Sequence, residues 1–128
     1  MCGICGIVGP EAPRPESGRI VRAMMETLAH RGPDAEGLAG DSSFVFGHRR
    51  LSIIDLELGA QPMTTPDGLV TIAYNGEVYN YLELRQDLIR RGVKFRTFSD
   101  TEVLLRLYEA EGPECVARLN GMFAFVIW

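Results

Sequence analysis

The sequence predicts an α+β fold, in which short strands and amphipathic helices share one core. Three observations predict it. Apolar runs of strand length recur at residues 3–9, 44–46, 69–74 and 122–128. Three stretches of helical spacing lie between them, each with a start or a stop signal, and Asn-Gly dipeptides punctuate the rest. A chain of 128 residues has room for one domain and one core. With 46% hydrophobic and 23% charged residues, it has the composition of a globular protein and not that of a disordered one.

The elements follow in order. Residues 1–9, apolar and dotted with Gly, read as a buried strand beginning at the terminus itself. Pro10, Pro13 and Pro15 enforce a loop, since each lacks an N–H and fixes its own φ. Ser17 is placed to cap a helix over 19–29, with Ile20, Val21, Met24, Met25 and Leu28 on its inner face. His30 to Asp34 breaks that helix, and a Gly-dotted loop runs to about Asp41. A strand at 44–46 continues toward Ile54, a second loop covers 59–68, and Leu69 to Tyr74 is another buried strand. Asn75-Gly76 reads as a tight turn, because both residues tolerate positive φ. Asn80 with Glu83, and Ser99 with Glu102, have capping-box spacing. The first box opens a helix that buries Tyr81, Leu84 and Leu88 and ends at Gly92. Extended chain at 93–98 then leads to the second box and a helix through Val103, Leu104, Leu107 and Tyr108, which Gly112-Pro113 stops. Asn120-Gly121 is a last turn before the strand 122–128.

Charge and cysteine usage narrow the function. A net charge of -4 argues against nucleic-acid binding, which needs a basic face, but leaves room for one buried Arg holding a small anion. Three cysteines cannot all pair with one another, so a disulfide framework is a poor reading. No apolar run approaches the roughly 20 residues of a membrane-spanning helix, and no basic segment leads into an apolar one at the N-terminus. The expectation is a cytoplasmic protein with no membrane partner.

Cys2 is the first candidate for chemistry. Removal of the initiator Met, common when the second residue is small, would leave a thiol and a free α-amine on one residue. The thiol has an ordinary pKa of about 8.5 and the amine one of about 7.7–8.0. The amine can therefore take the thiol proton, giving a nucleophile that carries its own base. The bland alternative is a small residue buried in a strand. Zinc or redox use of Cys2 and Cys5 is weaker, since Cys115, His30 and His48 stand at no recognisable ligand spacing. Cys115 itself sits in an apolar helical pattern and reads as core.

Six segments in order carry a resemblance. Cys2-Gly3-Ile4, His30-Arg31-Gly32-Pro33-Asp34, Arg50-Leu51-Ser52-Ile53, Asn75-Gly76-Glu77-Val78-Tyr79-Asn80, Ser99-Asp100-Thr101-Glu102 and Leu119 to Phe125 are similar to the N-terminal glutaminase domain of class II glutamine amidotransferases. Pro33-Asp34 and residues 75–80 resemble the glutamine-hydrolysing asparagine synthetases in particular. The resemblance implies a four-layer αββα sandwich, the N-terminal nucleophile hydrolase fold. It also implies that Cys2 attacks the side-chain amide of glutamine, releasing ammonia for an ATP-dependent amidation in a downstream synthetase domain.

Carried over residue by residue, the resemblance makes Asn75, through its side-chain amide, and Gly76, through its N–H, an oxyanion hole. Arg50 matches the binder of the substrate α-carboxylate, which suits a planar guanidinium fork. The backbone at Ile53 and Ile54 lines the same pocket. Glu77 lies near the substrate, and Asp100 matches the group for its α-ammonium. Read without the family, Arg50 is equally a surface charge, Asp100 a helix cap and Asn75-Gly76 a hairpin turn. Strand alternation lets only one of Arg49 and Arg50 point inward, and the resemblance favours Arg50.

The bare apolar strand at 122–128 reads as a chain cut within a larger domain, so residues 1–128 are expected to be an incomplete glutaminase domain with the synthetase domain absent. No metal site is expected here, and ATP and Mg²⁺ are expected only in that downstream domain. Glutamine and the synthetase domain are the expected partners, and a homodimer is allowed. The competing class is a non-catalytic amino-acid-binding or protein-interaction module with Met1 retained. The amidotransferase-like domain of another amide-forming synthetase, as in β-lactam synthetase, is a further alternative.

Overall fold

A computed structural model of the chain describes residues 2–9, 16–52, 55 and 58–128. The elements are β1 (Gly3–Val8), α1 (Ser17–Thr27), β2 (Ala35–Gly40), β3 (Phe44–Arg50), β4 (Met63–Thr64), β5 (Thr71–Val78), α2 (Tyr81–Arg90), α3 (Asp100–Glu111), a 3-10 helix (Gly112–Arg118) and β6 (Gly121–Ile127). They form two antiparallel sheets, ordered β1-β3-β2 and β4-β5-β6. β1 and β3 face β5 across the space between the sheets, α1 covers the outer face of the first, and α3 with α2 covers the second. The order helix, sheet, sheet, helices is the four-layer αββα sandwich.

Period-two alternation decides which side chains enter the middle of the sandwich. From β3, Phe44 and Phe46 meet Ala73 of β5, with Ile4 and Val126 beside them. His48 and Arg50 share their parity and point the same way. The odd-numbered residues face α1. At Gly47 a Cβ would come within 2.6 Å of Met25 Sδ and 2.8 Å of Val21 Cγ1, so α1 rests directly on the backbone of β3. On the far side, Ile72 and Tyr74 join Leu84, Leu88, Leu104, Leu107 and Cys115 in the larger core.

Several elements differ from expectation, each for a nonlocal reason. Residues 35–40 form β2 instead of a loop, because β3 supplies a ladder that their weak apolar pattern does not announce. Asn75-Gly76 is not a turn. β5 runs straight to Val78, with Asn75 opposite Ala124 and Gly76 opposite Phe123. A Cβ on Gly76 would lie 2.3 Å from Met122 O, so this glycine serves a close strand approach and not a bend. The turn at Asn120-Gly121 is likewise absorbed, with Gly121 opening β6 opposite Val78.

The helix ends shift too. α1 begins at Ser17, with Glu16 at the N-cap position and no side-chain cap. Asn80 holds the N-cap position of α2 without capping it: Nδ2 donates to Arg118 O and Oδ1 accepts from Asn120 N, tying α2 to the approach to β6. Ser99 does cap α3, accepting from Glu102 N at 3.2 Å. Residues 93–98 pair with no strand among the described residues. Ile53 and Ile54 lie outside the described residues.

His48 joins the two sheets. It is 1% exposed, and its Nε2 donates to Tyr74 O at 3.0 Å, since a carbonyl can only accept. Nδ1 is then the unprotonated nitrogen, buried and without a partner among the described residues. Burial pushes the imidazole down to about 4 from its ordinary 6.5, opposed by the bond to Tyr74 and aided by the charge of Arg50. The unfolded chain therefore takes up a proton below 6.5 that the folded protein refuses until about 4. Stability should fall by roughly 3 kcal/mol as pH drops through that window and be indifferent to His48 above it. Urea unfolding of the parent and of His48→Gln across the window checks this; the variant should lose the His48 share of the slope.

Candidate functional site

One cavity opens where β1 begins, β3 ends and β5 passes beyond β4; Cys2, Arg50, Asn75, Gly76, Glu77 and Asp100 all line it. Alternation accounts for the gathering. Cys2 shares the parity of Ile4, which faces the second sheet, whereas Cys5 Sγ points back toward Val21 O at 3.8 Å. The two cysteines thus face opposite sides and do not converge. Arg50 follows Phe44, Phe46 and His48 inward and is 8% exposed. Arg49 turns outward, donating to Gly32 O and pairing with Glu36 at 2.6 Å.

Cys2 is held although it precedes the first strand. Arg31 Nε donates to Cys2 O at 3.0 Å. Leu51 N donates to Cys2 Sγ at 3.4 Å, and Sγ in turn lies 3.6 Å from Leu51 O, so the end of β3 holds the sulfur in place. Within the breaker segment, Asp34 accepts from Ser52 N at 2.7 Å and so braces the end of β3, while exposed His30 contacts Thr27 O at the end of α1.

The edge of β5 is the unusual feature. Thr71 and Trp128 exchange two hydrogen bonds, so the odd-numbered residues of β5 bond to β6 and the even-numbered N–H groups point to the other edge. β4 covers that edge only as far as Ile72. Beyond it, Tyr74 N donates to the Gln61 side chain at 2.8 Å and Val78 N to Asp100 Oδ2 at 3.1 Å. Gly76 N, between them, meets no acceptor among the described residues. The Asn75 side chain makes no hydrogen bond there either, and its Oδ1 is buried.

The acidic wall is firmly built. Asp100 is 5% exposed and leaves capping to Ser99, using its own carboxylate on β5. Its Oδ2 also accepts from Tyr74 Oη at 2.7 Å. Burial, and then the bond to and charge of Asp100, push the Tyr74 hydroxyl well above the ordinary phenol range. Gln61 Nε2 donates to Thr101 Oγ1 at 3.2 Å, so one side chain joins β5 to the first turn of α3. Behind it, buried Glu102 accepts from Arg96 N, from Thr97 N at 2.6 Å and from Thr97 Oγ1 at 2.7 Å, which fixes the segment entering α3. On the basic side, Arg50 Nη2 donates to Asp55 O at 2.5 Å, and Asp55 Oδ2 accepts from Phe98 N at 2.7 Å.

Tyr74, Gln61 and Asp55 were not legible as site residues. Tyr74 reads only as strand, Gln61 lies in a loop with no motif, and Asp55 acts through its carbonyl and a distant N–H.

The profile of the glutamine amidotransferase domain family matches residues 1–128. The chain belongs to that family. Among curated relatives, the amidotransferase domain is 45% identical over 130 residues to asparagine synthetase [glutamine-hydrolyzing] 1 of Bacillus subtilis, covering all of this chain and 21% of that protein. It is 38% identical over 128 residues to asparagine synthetase B [glutamine-hydrolyzing] of Escherichia coli, of which it covers 23%. Among solved structures, the B. subtilis glutamine phosphoribosylpyrophosphate amidotransferase superposes with a TM-score of 0.79 at 25% identity, over all of this chain and 35% of that one. The chain thus spans less than a quarter of these synthetases.

In the amidotransferase domain, the cavity offers a sulfur, two hydrogen-bond donors that meet no acceptor among the described residues, a guanidinium and two carboxylates. The scaffold behind them depends on Glu102. Glu102→Gln keeps the volume but sets an amide N–H against donors, and should cost roughly 2–4 kcal/mol. Urea unfolding reads the loss, and amide exchange at Arg96 and Thr97 should rise with it.

Proposed function

We propose that the domain hydrolyses the side-chain amide of free glutamine and delivers the ammonia to a downstream synthetase domain of the same protein. The observation that supports this most is a pair of donors beside a sulfur that meet no acceptor among the described residues: Gly76 N–H, left over at the β5 edge, and the Asn75 side-chain amide, both lining the cavity with Cys2.

The chemistry follows from those groups. With Met1 removed, the α-amine of Cys2 accepts the thiol proton and Sγ attacks the carboxamide carbon. The carbonyl electron pair moves onto oxygen, where Asn75 Nδ2 and Gly76 N–H donate to it; one such donor is typically worth about 3–4 kcal/mol of barrier. Collapse of this intermediate breaks the C–N bond, and ammonia departs with the proton held on the amine. A γ-glutamyl thioester remains. Water gives a proton to the freed amine and adds through the same oxyanion, the C–S bond breaks, that proton passes to sulfur and glutamate leaves.

Arg50 and Asp100 select the substrate. The guanidinium, steadied by Asp55 O, takes the α-carboxylate, and Asp100 takes the α-ammonium with Glu77 adding negative charge on the same wall. Two opposite charges held apart suit an amino-acid zwitterion and reject a peptide-bound glutamine. They do not suit a polyphosphate, so ATP and Mg²⁺ are assigned to the synthetase domain and not to this cavity. Amidation of aspartate to asparagine is the favoured use of the ammonia, supported by the resemblance to asparagine synthetases over this whole chain. We place the protein in the cytoplasm, without a nucleic-acid partner.

The test uses the full-length protein and 6-diazo-5-oxo-norleucine, a glutamine-like alkylator. Mass spectrometry should show loss of Met1 and a single adduct on Cys2, and Cys2→Ala should abolish both labelling and ammonia release. An adduct elsewhere, or glutaminase activity surviving in Cys2→Ala, contradicts the proposal. Arg50→Ala should raise KM for glutamine roughly ten- to a hundredfold, the worth of a lost charge-assisted pair. An unchanged KM removes Arg50 from the role.

A further inference from the structure

We propose that Tyr74 is a positioning residue for substrate selectivity: it fixes the Asp100 carboxylate so that one oxygen meets the α-ammonium of the bound amino acid. The inference rests on the glutamine reading above and adds to it a residue outside the six segments that carry the family resemblance.

The geometry carries it. Tyr74 has the opposite parity from Asn75, so its ring goes to the helix side of β5 and its hydroxyl reaches the first residue of α3. There Asp100 Oδ2 accepts two hydrogen bonds, from Tyr74 Oη at 2.7 Å and from Val78 N at 3.1 Å. Turning the carboxylate about its own bond would break both. Oδ1 accepts from no described residue, and both Asp100 and Tyr74 line the cavity. The helix does not need this carboxylate as a cap, because Ser99 already caps Glu102 N. The arrangement therefore spends two donors on holding one oxygen still and presents the other to the ligand.

The donor is also permanent. Tyr74 is 2% exposed, and burial beside a carboxylate keeps its proton on the phenol across the working pH range. Oδ1, which no described residue engages, consequently belongs to an oriented acceptor. Val78 N alone could not orient it, since a single bond leaves the group free to swing about that contact.

Steady-state hydrolysis by the full-length protein of glutamine and of glutaramate, which is glutamine without its α-ammonium group, tests the claim. The parent should strongly prefer glutamine. Tyr74→Phe keeps the ring and loses the donor: KM for glutamine should rise roughly tenfold with kcat little changed, as for one lost charge-assisted bond. Glutaramate kinetics should not move, so the preference shrinks by the same factor. Asp100→Glu keeps the charge but displaces it from Tyr74 and Val78, and should shrink the preference likewise; it carries the test if Tyr74→Phe does not fold. An unchanged preference in either variant overturns the proposal, as does an equal loss on both substrates, which would mark a structural role alone. A parent that hydrolyses both equally removes Asp100 as the ammonium site and the proposal with it. A parent that hydrolyses neither overturns the glutamine reading itself, a result distinct from all the others.

Discussion

β4 stops after two residues, and the strand it should accompany does not. The edge of β5 beyond Ile72 presents backbone N–H groups at every second residue, and buried N–H groups demand acceptors. Side chains answer at two positions, Gln61 at Tyr74 and Asp100 at Val78. At Gly76 none of the described residues answers. That gap in an otherwise satisfied edge aims a donor into the cavity that Cys2 lines, and the rest of the site is arranged around it. The absence of a side chain on Gly76 belongs to the same constraint, since it lets β6 approach closely enough to hold the strand straight.

The groups that answer the edge are themselves anchored. Asp100 stands in the first turn of α3, whose entry is fixed by Ser99 capping and by Glu102 gripping residues 96 and 97. Gln61 ties that same turn to β5 from the other side. Arg50 reaches the 98–100 segment by a different route, through the carbonyl and carboxylate of Asp55. The cationic and anionic ends of the cavity therefore share one support. A carboxylate and a guanidinium placed by such a frame recognise a ligand with little left to order on binding.

Much of this was legible in the sequence, and the limits are physical. The N-terminal strand, the three helices and β6 follow from periodicity and stop signals, which are local. Arg50 over Arg49 follows from alternation combined with the family resemblance. β2 was missed because its residues, Ala35 to Gly40, carry little apolar contrast and depend on β3 for their ladder. Asn75-Gly76 was misread as a turn because the dipeptide supports either a bend or, given a partner like β6, a close-packed strand. The Ser99–Glu102 box was half right: the serine caps, but the glutamate serves the preceding loop. Tyr74, Gln61 and Asp55 act across gaps of 26, 40 and 43 residues, distances over which one sequence carries no signal.

The claim on which the account turns is that Gly76 N–H is held ready for a ligand while its neighbours on the same edge are occupied. Residue-resolved amide hydrogen exchange on the full-length protein addresses it directly. In the free protein, Gly76 should exchange far faster than Tyr74 and Val78, and it should become protected once Cys2 carries a glutamine-like adduct. Protection of Gly76 equal to that of Val78 before any ligand is added, or no change on forming the adduct, would contradict it.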